Sequence, residues 1–279
     1  MRKIRVLSAV LAAVLMTCLL ASCTANIGDP DAINDYVPEV MTVTTDNGVF
    51  TFANGEGDTA ILVKYSGKAT TDDHVVIPEK FNDRKVVAIG DSAFYHLASI
   101  VEVKIPETVE SIGAFAFAEC TELPSITLPD AVETIGKCAF EGCTKLTEVK
   151  LPASLQTIGD FAFANCTALP SVTLPASLTT IGKAAFECDT ALTAIEIPAS
   201  VTTIGPLCFY DCTGIESIKL TDNITEIGPF CFVTEKSTLK DKIDLTGLDP
   251  EGYVAKYVAA IAEPTPETEV VTEAVEPAA

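Results

Sequence analysis

Cys120, Cys143 and Cys166 are evenly spaced, and Cys212 follows at twice their interval. Of ten cysteines in the chain, eight lie between residues 120 and 231. Thiols in such numbers raise three chemistries: metal binding, redox exchange and nucleophilic catalysis. A structural zinc site or a thiol–disulfide exchanger needs close pairs such as C-x-x-C, or histidines interleaved with cysteines. Neither arrangement occurs. The two histidines, His74 in TTDDHVV and His96 in FYHLAS, lie outside any nucleophile arrangement. The adjacent acidic pair at 72–73 would give His74 an isolated cation ligand set at most. There is no P-loop, no G-x-G-x-x-G, no H-E-x-x-H and no G-x-S-x-G. These residues predict no enzyme, no metal and no cofactor.

What the cysteines share is a place in a repeat. Ile-Gly recurs at 89, 112, 135, 158, 181, 204 and 227, a strict 23-residue period. In register the unit reads I-G-x-x-A-F-x-x-C-T-x-L-x-x-I-x-L-P-x-S-L-x-T. Its sixth position holds Phe94, Phe117, Phe140, Phe163, Phe186, Phe209 and Phe232. Strict spacing of this kind marks a solenoid, in which each unit covers its neighbour's apolar face. L-x-x-I-x-L-P predicts a short strand closed by Pro106, Pro129, Pro152, Pro175 and Pro198, stacked into a parallel ladder. S-L-x-T-I-G predicts a second extended segment, and x-x-A-F-x-x-C a short helical or 3₁₀ return.

The motifs IGKAAF, IGDFAF, SLTTIG and L-x-x-I-x-L-P resemble the leucine-rich repeat of the BspA type, also called the Treponema pallidum type. VVIPEKFNDRKVVAIGDSAF, residues 75–94, is similar to the first coil of that family, with extra residues between Pro78 and Ile89. The resemblance spans roughly residues 60–245. It implies a mainly β repeat solenoid and, by analogy only, adhesion to host matrix or to other cells.

In this frame the ninth-position cysteines are expected to be buried free thiols, because a ladder of small, soft side chains suits a packed turn. A disulfide between neighbouring coils is the alternative: equivalent Cα atoms fall within bridging range, although their side chains point the same way. The phenylalanine column is core. Phe115, Phe161 and Phe230, at the fourth position, pack on the outer face or stay partly exposed.

The strand face is the candidate recognition surface. Its sixteenth position reads Lys104, Thr127, Lys150, Thr173, Glu196 and Lys219, and its fourteenth includes Glu102 and Glu148. None of these is Trp, Tyr or Arg, the types that dominate binding hot spots, so the face predicts modest affinity. A merely solvated sheet face is the competing reading. P-S-x-T alternates with T-E-x-K, which suggests a 46-residue duplication.

The ends set the setting. Arg2, Lys3 and Arg5 precede an apolar run, followed by LASC at 20–23, which resembles a lipoprotein cleavage box. Residues 1–22 therefore read as a signal peptide and Cys23 as the lipidated new N-terminus. Cleavage removes three basic and no acidic residues, shifting the formal charge from −21 to −24. Such acidity disfavours nucleic acid and anionic lipid as partners, leaving attachment to the acyl chains on Cys23. The expected organisation is a tether over 23–40, a β cap with a first irregular repeat over 41–88, and the solenoid over 89–240. A C-terminal cap over 241–262, with a short helix opening at Asp249–Pro250, and a Pro/Glu/Thr-rich disordered tail over 263–279 complete it. The expected protein is a monomeric, surface-exposed lipoprotein that binds an extracellular protein or glycan. A spacer of the envelope and a ligand-binding subunit of an envelope complex are the alternatives.

Overall fold

A computed structural model describes residues 40–46, 48–67, 73–233 and 243–244. The lipobox, the expected tether up to residue 39, the expected C-terminal helix and the expected tail lie outside them.

The described part opens with alternating apolar residues that form an antiparallel meander: β1 (Val40–Thr45), β2 (Gly48–Asn54) and β3 (Thr59–Ser66). The meander buries Phe50, Phe52, Leu62 and Tyr65. β3 then pairs in parallel with β6 (Arg84–Ile89), so the cap's edge strand becomes the first rung of the solenoid. β4 (Asp73–Val76) runs parallel to β7 (Ile100–Lys104). The extra residues before Ile89 form a tight hairpin, β5 (Lys80–Phe81) against β6. Its two turn residues, Asn82 and Asp83, have φ of 47° and 63°, the left-handed pair a two-residue hairpin turn requires.

Beyond β6 the chain winds in 23-residue coils. Along one corner, two-residue strands at Ser111–Ile112, Thr134–Ile135, Thr157–Ile158, Thr180–Ile181, Thr203–Ile204 and Glu226–Ile227 stack in parallel without a slip. With the cap they form one sheet of eleven strands. The glycine after each isoleucine is a packing requirement. A Cβ on Gly136 would lie 2.6 Å from the carbonyl carbon of Gly113, and one on Gly159 2.7 Å from that of Gly136.

The L-x-x-I-x-L-P segments also form parallel strands, but their ladder is broken. Ser125–Thr127 pairs with Glu148–Lys150, and Ala194–Glu196 with Ser217–Lys219 and then Ile243–Asp244. Between Ser171 and Ala194 only a single bridge forms. No pairing joins β7 to Ser125–Thr127, or Glu148–Lys150 to residues 171–173. The thirteenth residue explains this. Thr147, Thr193 and Glu216 each donate their N–H to the thirteenth carbonyl of the preceding coil, at 2.8, 3.1 and 2.7 Å. Pro124 and Pro170 have no N–H to give, and the pairing that would follow is lost.

The return segment corrects an expectation. Among the described residues it contains no α- or 3₁₀-helix; it is a pair of turns. Each full coil places its fourth and eighth residues at positive φ, as in Phe115 (55°) and Glu119 (61°), Phe161 (57°) and Asn165 (62°). Alternate amides then point along the array. Phe115, Phe117 and Glu119 donate to Lys137, Ala139 and Glu141 of the next coil at 2.7–2.8 Å. An α-helical return would have spent those amides within one coil, so inter-coil bonding outweighs the backbone strain.

The core is a column of phenylalanines. Phe94, Phe117, Phe140, Phe163, Phe186, Phe209 and Phe232 are fully buried and stack with rings 3–8° from parallel. Centroid spacing widens from 4.9 Å at Phe94–Phe117 to 5.8 Å at Phe209–Phe232. Tyr65 continues the column into the cap, 5.3 Å from Phe94. Phe115, Phe161 and Phe230 are half-buried on the turn corner, and Lys183 lies over the Phe161 ring at 5.4 Å.

Candidate recognition face

The thiols are structural. Cys120, Cys143, Cys166 and Cys212 are fully buried and unbridged. Each donates its S–H to the carbonyl of the phenylalanine 26 residues earlier, in the preceding coil, at 3.2, 3.2, 3.3 and 2.8 Å. That carbonyl already accepts an N–H from its own coil, as Phe117 does from Cys120, so the thiol fills its second lone pair. Burial pushes the Cys120 thiol up to about 12 and holds those of Cys143, Cys166 and Cys212 well above their ordinary value. Such groups stay protonated and offer no thiolate to a metal or an electrophile.

Asp189 takes the cysteine's place in the fifth coil. It is fully buried; its Oδ1 accepts the N–H of Cys166 at 2.8 Å, while Oδ2 has no partner. Burial holds this carboxyl well above the usual carboxylate range, partly offset by the Cys166 hydrogen bond. His74 Nδ1 lies 2.7 Å from Glu102 Oε2 on the surface. Among the described residues no three His, Cys, Asp or Glu side chains converge on a metal position.

The strand face is where polar side chains line up. Along it, even positions point outward and odd ones inward: Glu148 and Lys150 are exposed while Val149 between them is buried, and Ala194, Ile195 and Glu196 repeat the pattern. Glu102, Lys104, Thr127, Lys150, Thr173, Glu196 and Lys219 are all exposed on this face. They are not electrostatically equivalent. Lys219 pairs with Glu196 at 2.5 Å, whereas Lys104 and Lys150 make no ion pair among the described residues.

Both unpaired lysines border the open seams left by Pro124 and Pro170. At the second seam a cavity of about 500 Å³ is lined by Thr147, Glu148, Lys150, Ser171, Thr173 and Ala176 among others. In paired coils the N–H after the strand bonds the next coil: Leu128 donates to Lys150 at 3.1 Å and Ile197 to Lys219 at 2.9 Å. Across the seam, the Leu151 N–H and the Thr173 carbonyl have no such bond. The seam thus offers a main-chain donor, a main-chain acceptor, hydroxyls, the Glu148 carboxylate and the Lys150 ammonium. Sequence reasoning found the face but missed the seams, although their signal was present in the prolines at 124 and 170.

The family described as BspA type leucine rich repeat region matches in six copies across residues 87–190 and 134–245. No curated protein sequence matches the chain. Among solved structures, a leucine-rich repeat protein from Bacteroides ovatus is 29% identical over 67% of this chain and 56% of its own length, with a TM-score of 0.51. The Treponema pallidum leucine-rich repeat protein is 26% identical over 66% of this chain and 85% of its own, with a TM-score of 0.46. A leucine-rich cell surface protein from Faecalibacterium prausnitzii is 25% identical over 73% of this chain and 77% of its own, with a TM-score of 0.49. With the repeat matched over more than half of its length and wound into 23-residue coils, the chain belongs to the BspA-type leucine-rich repeat family.

Proposed function

We propose that the protein is a non-catalytic binding scaffold, held at the bacterial cell surface by a lipid on Cys23, whose strand face adheres to an extracellular protein or glycan. The observation that carries the reading is the pair of lysines that make no ion pair among the described residues, Lys104 and Lys150, set beside the open seams among exposed hydroxyls and carboxylates. The phenylalanine, cysteine and Ile-Gly columns, by contrast, are occupied with holding coil to coil. Polar and charged groups of mixed sign recognise partners by orientation more than by raw affinity, so the interaction is modest and salt-sensitive.

The test is binding of the purified full chain to immobilised matrix proteins, mucins and glycans, beside the Lys104→Glu/Lys150→Glu variant and Lys219→Glu alone. A saturable hit that weakens at least tenfold in the double variant, and little in Lys219→Glu, supports the reading. Lys219 is the weaker contributor because Glu196 already neutralises it. Binding that persists in the double variant moves the site elsewhere, and no binding favours a spacer. The anchor is tested separately: cells fed an alkyne-tagged fatty acid should label the wild-type chain and not Cys23→Ala.

A further inference from the structure

A second concavity lies where the cap meets the Ile-Gly ladder, and it shares no residue with the strand-face cavity. Its volume is about 410 Å³, within the range of small ligand sites. The floor is nearly bare backbone, formed where Gly90, Gly113 and Gly136 stack without side chains. Ile61, Val87, Ala88 and Ile112 supply apolar walls. The β2–β3 turn borders it and is firmly pinned: Gly55 N–H donates to the Thr59 carbonyl at 2.9 Å, Thr59 Oγ1 to the Glu56 carbonyl at 2.7 Å, and Arg84 to the Gly57 carbonyl at 2.7 Å. The groove is therefore preformed.

Its charged lining residues are Glu56, Asp91, Glu110 and Lys137. None of the four forms an ion pair among the described residues. Asp91 uses Oδ1 to accept the Ala114 N–H at 2.7 Å, leaving its other oxygen for a ligand. An apolar trough with three carboxylates against one ammonium suits a side chain that is apolar along its length and cationic at its tip. It contains no aromatic ring for a sugar face to stack on. We propose that this groove is a second binding site, distinct from the strand face, which takes a lysine or arginine flanked by aliphatic residues from a partner protein.

The experiment uses the full chain, amide NMR and the probe peptide N-acetyl-Leu-Lys-Val-amide, with norleucine or glutamate replacing the lysine as controls. Saturable shifts are expected at the amides of Gly90, Gly113 and Gly136. They should weaken at least tenfold with the norleucine peptide and vanish with the glutamate peptide. Glu56→Gln/Asp91→Asn/Glu110→Gln, which keeps the groove's shape and the Asp91 hydrogen bond, should weaken binding at least tenfold. Ser111→Phe, which fills the groove and keeps the carboxylates, should abolish it, with a thermal melt of each variant confirming the fold. Equal binding of the lysine and norleucine peptides, unchanged binding in the triple variant, or shifts spread over the acidic surface without saturation would overturn the proposal. So would loss of binding in Lys104→Glu/Lys150→Glu, which belongs to the strand face and should leave this groove untouched.

Discussion

At the residue scale the informative position is the ninth of each coil. Cysteine works there because it is small enough for the turn, apolar enough for the core and still able to donate to the phenylalanine carbonyl behind it. Asp189 breaks the column. By the 26-residue spacing of the other thiol bonds, it leaves the carbonyl of Phe163 without a thiol donor, and its own Oδ2 is buried without a partner. Burial raises its pKa, so the folded chain keeps a proton that the unfolded chain releases above about pH 4. Stability from this site is full below that pH and is lost as pH rises toward the folded carboxyl's own titration. Asp189→Cys should therefore stabilise the protein at pH 7 by about 1–3 kcal/mol, the usual cost of a buried unsatisfied polar group, and by less at pH 4. Denaturant unfolding at both pH values checks this. An equal gain at both would show that packing, not ionisation, sets the cost of Asp189.

At the element scale the two open seams differ from the unbroken Ile-Gly ladder in the absence of an N–H. The Ile-Gly corner keeps a donor at every rung and runs unbroken from the cap to Ile227. The strand face loses its thirteenth donor at Pro124 and Pro170 and divides into short groups. Hydrogen exchange should read this directly. The amides of Leu128 and Ile197, bonded to the next coil, should exchange at least tenfold more slowly than that of Leu151, which faces the open seam. Pro170→Thr supplies the missing donor toward the Thr147 carbonyl. The new bond contributes about 0.5–1.5 kcal/mol, offset by the ordering proline provided, about 0.4–1 kcal/mol. Melting should thus change little, while Leu151 gains protection. If Leu151 stays unprotected in that variant, proline is not what opens the seam.

At the scale of the whole molecule the array is one-dimensional, each coil touching only its neighbours, so coil number and coil order are separable. Deleting residues 135–180 removes two coils and keeps the alternation of proline and non-proline residues at the thirteenth position as far as Thr193. Deleting 135–157 removes one coil and brings Pro124 and Pro170 into adjacent strands, whereas deleting 158–180 removes a proline and closes a seam. All three should fold, because the Ile-Gly register is preserved. Of the two single-coil deletions, the one lacking 158–180 should melt higher and the one lacking 135–157 lower. Thermal unfolding by circular dichroism decides the order. The same comparison serves the functional question: strand-face binding should weaken in the seam-closing deletion if the second seam belongs to the binding surface.

Much of this was legible in the 23-residue spacing itself. Recurrent Ile-Gly, Phe, Cys and Leu fix which residues meet, because equal spacing puts equal positions in contact in any stacked array. The buried phenylalanine and cysteine columns, the exposed fourteenth and sixteenth positions and the parallel stacking follow from that alone. The form of the return did not. Periodicity says that A-F-x-x-C must turn, but whether its amides bond within the coil, as a helix would, or along the array depends on a carbonyl in the next coil. The seams and the groove under the cap depend on partners in the same way. A proline removes a bond only from the coil before it, and a row of glycines lines a groove only when a turn from another part of the chain borders it. Sequence determined the contacts within each column; tertiary structure decided which hydrogen bonds and which empty spaces lie between columns.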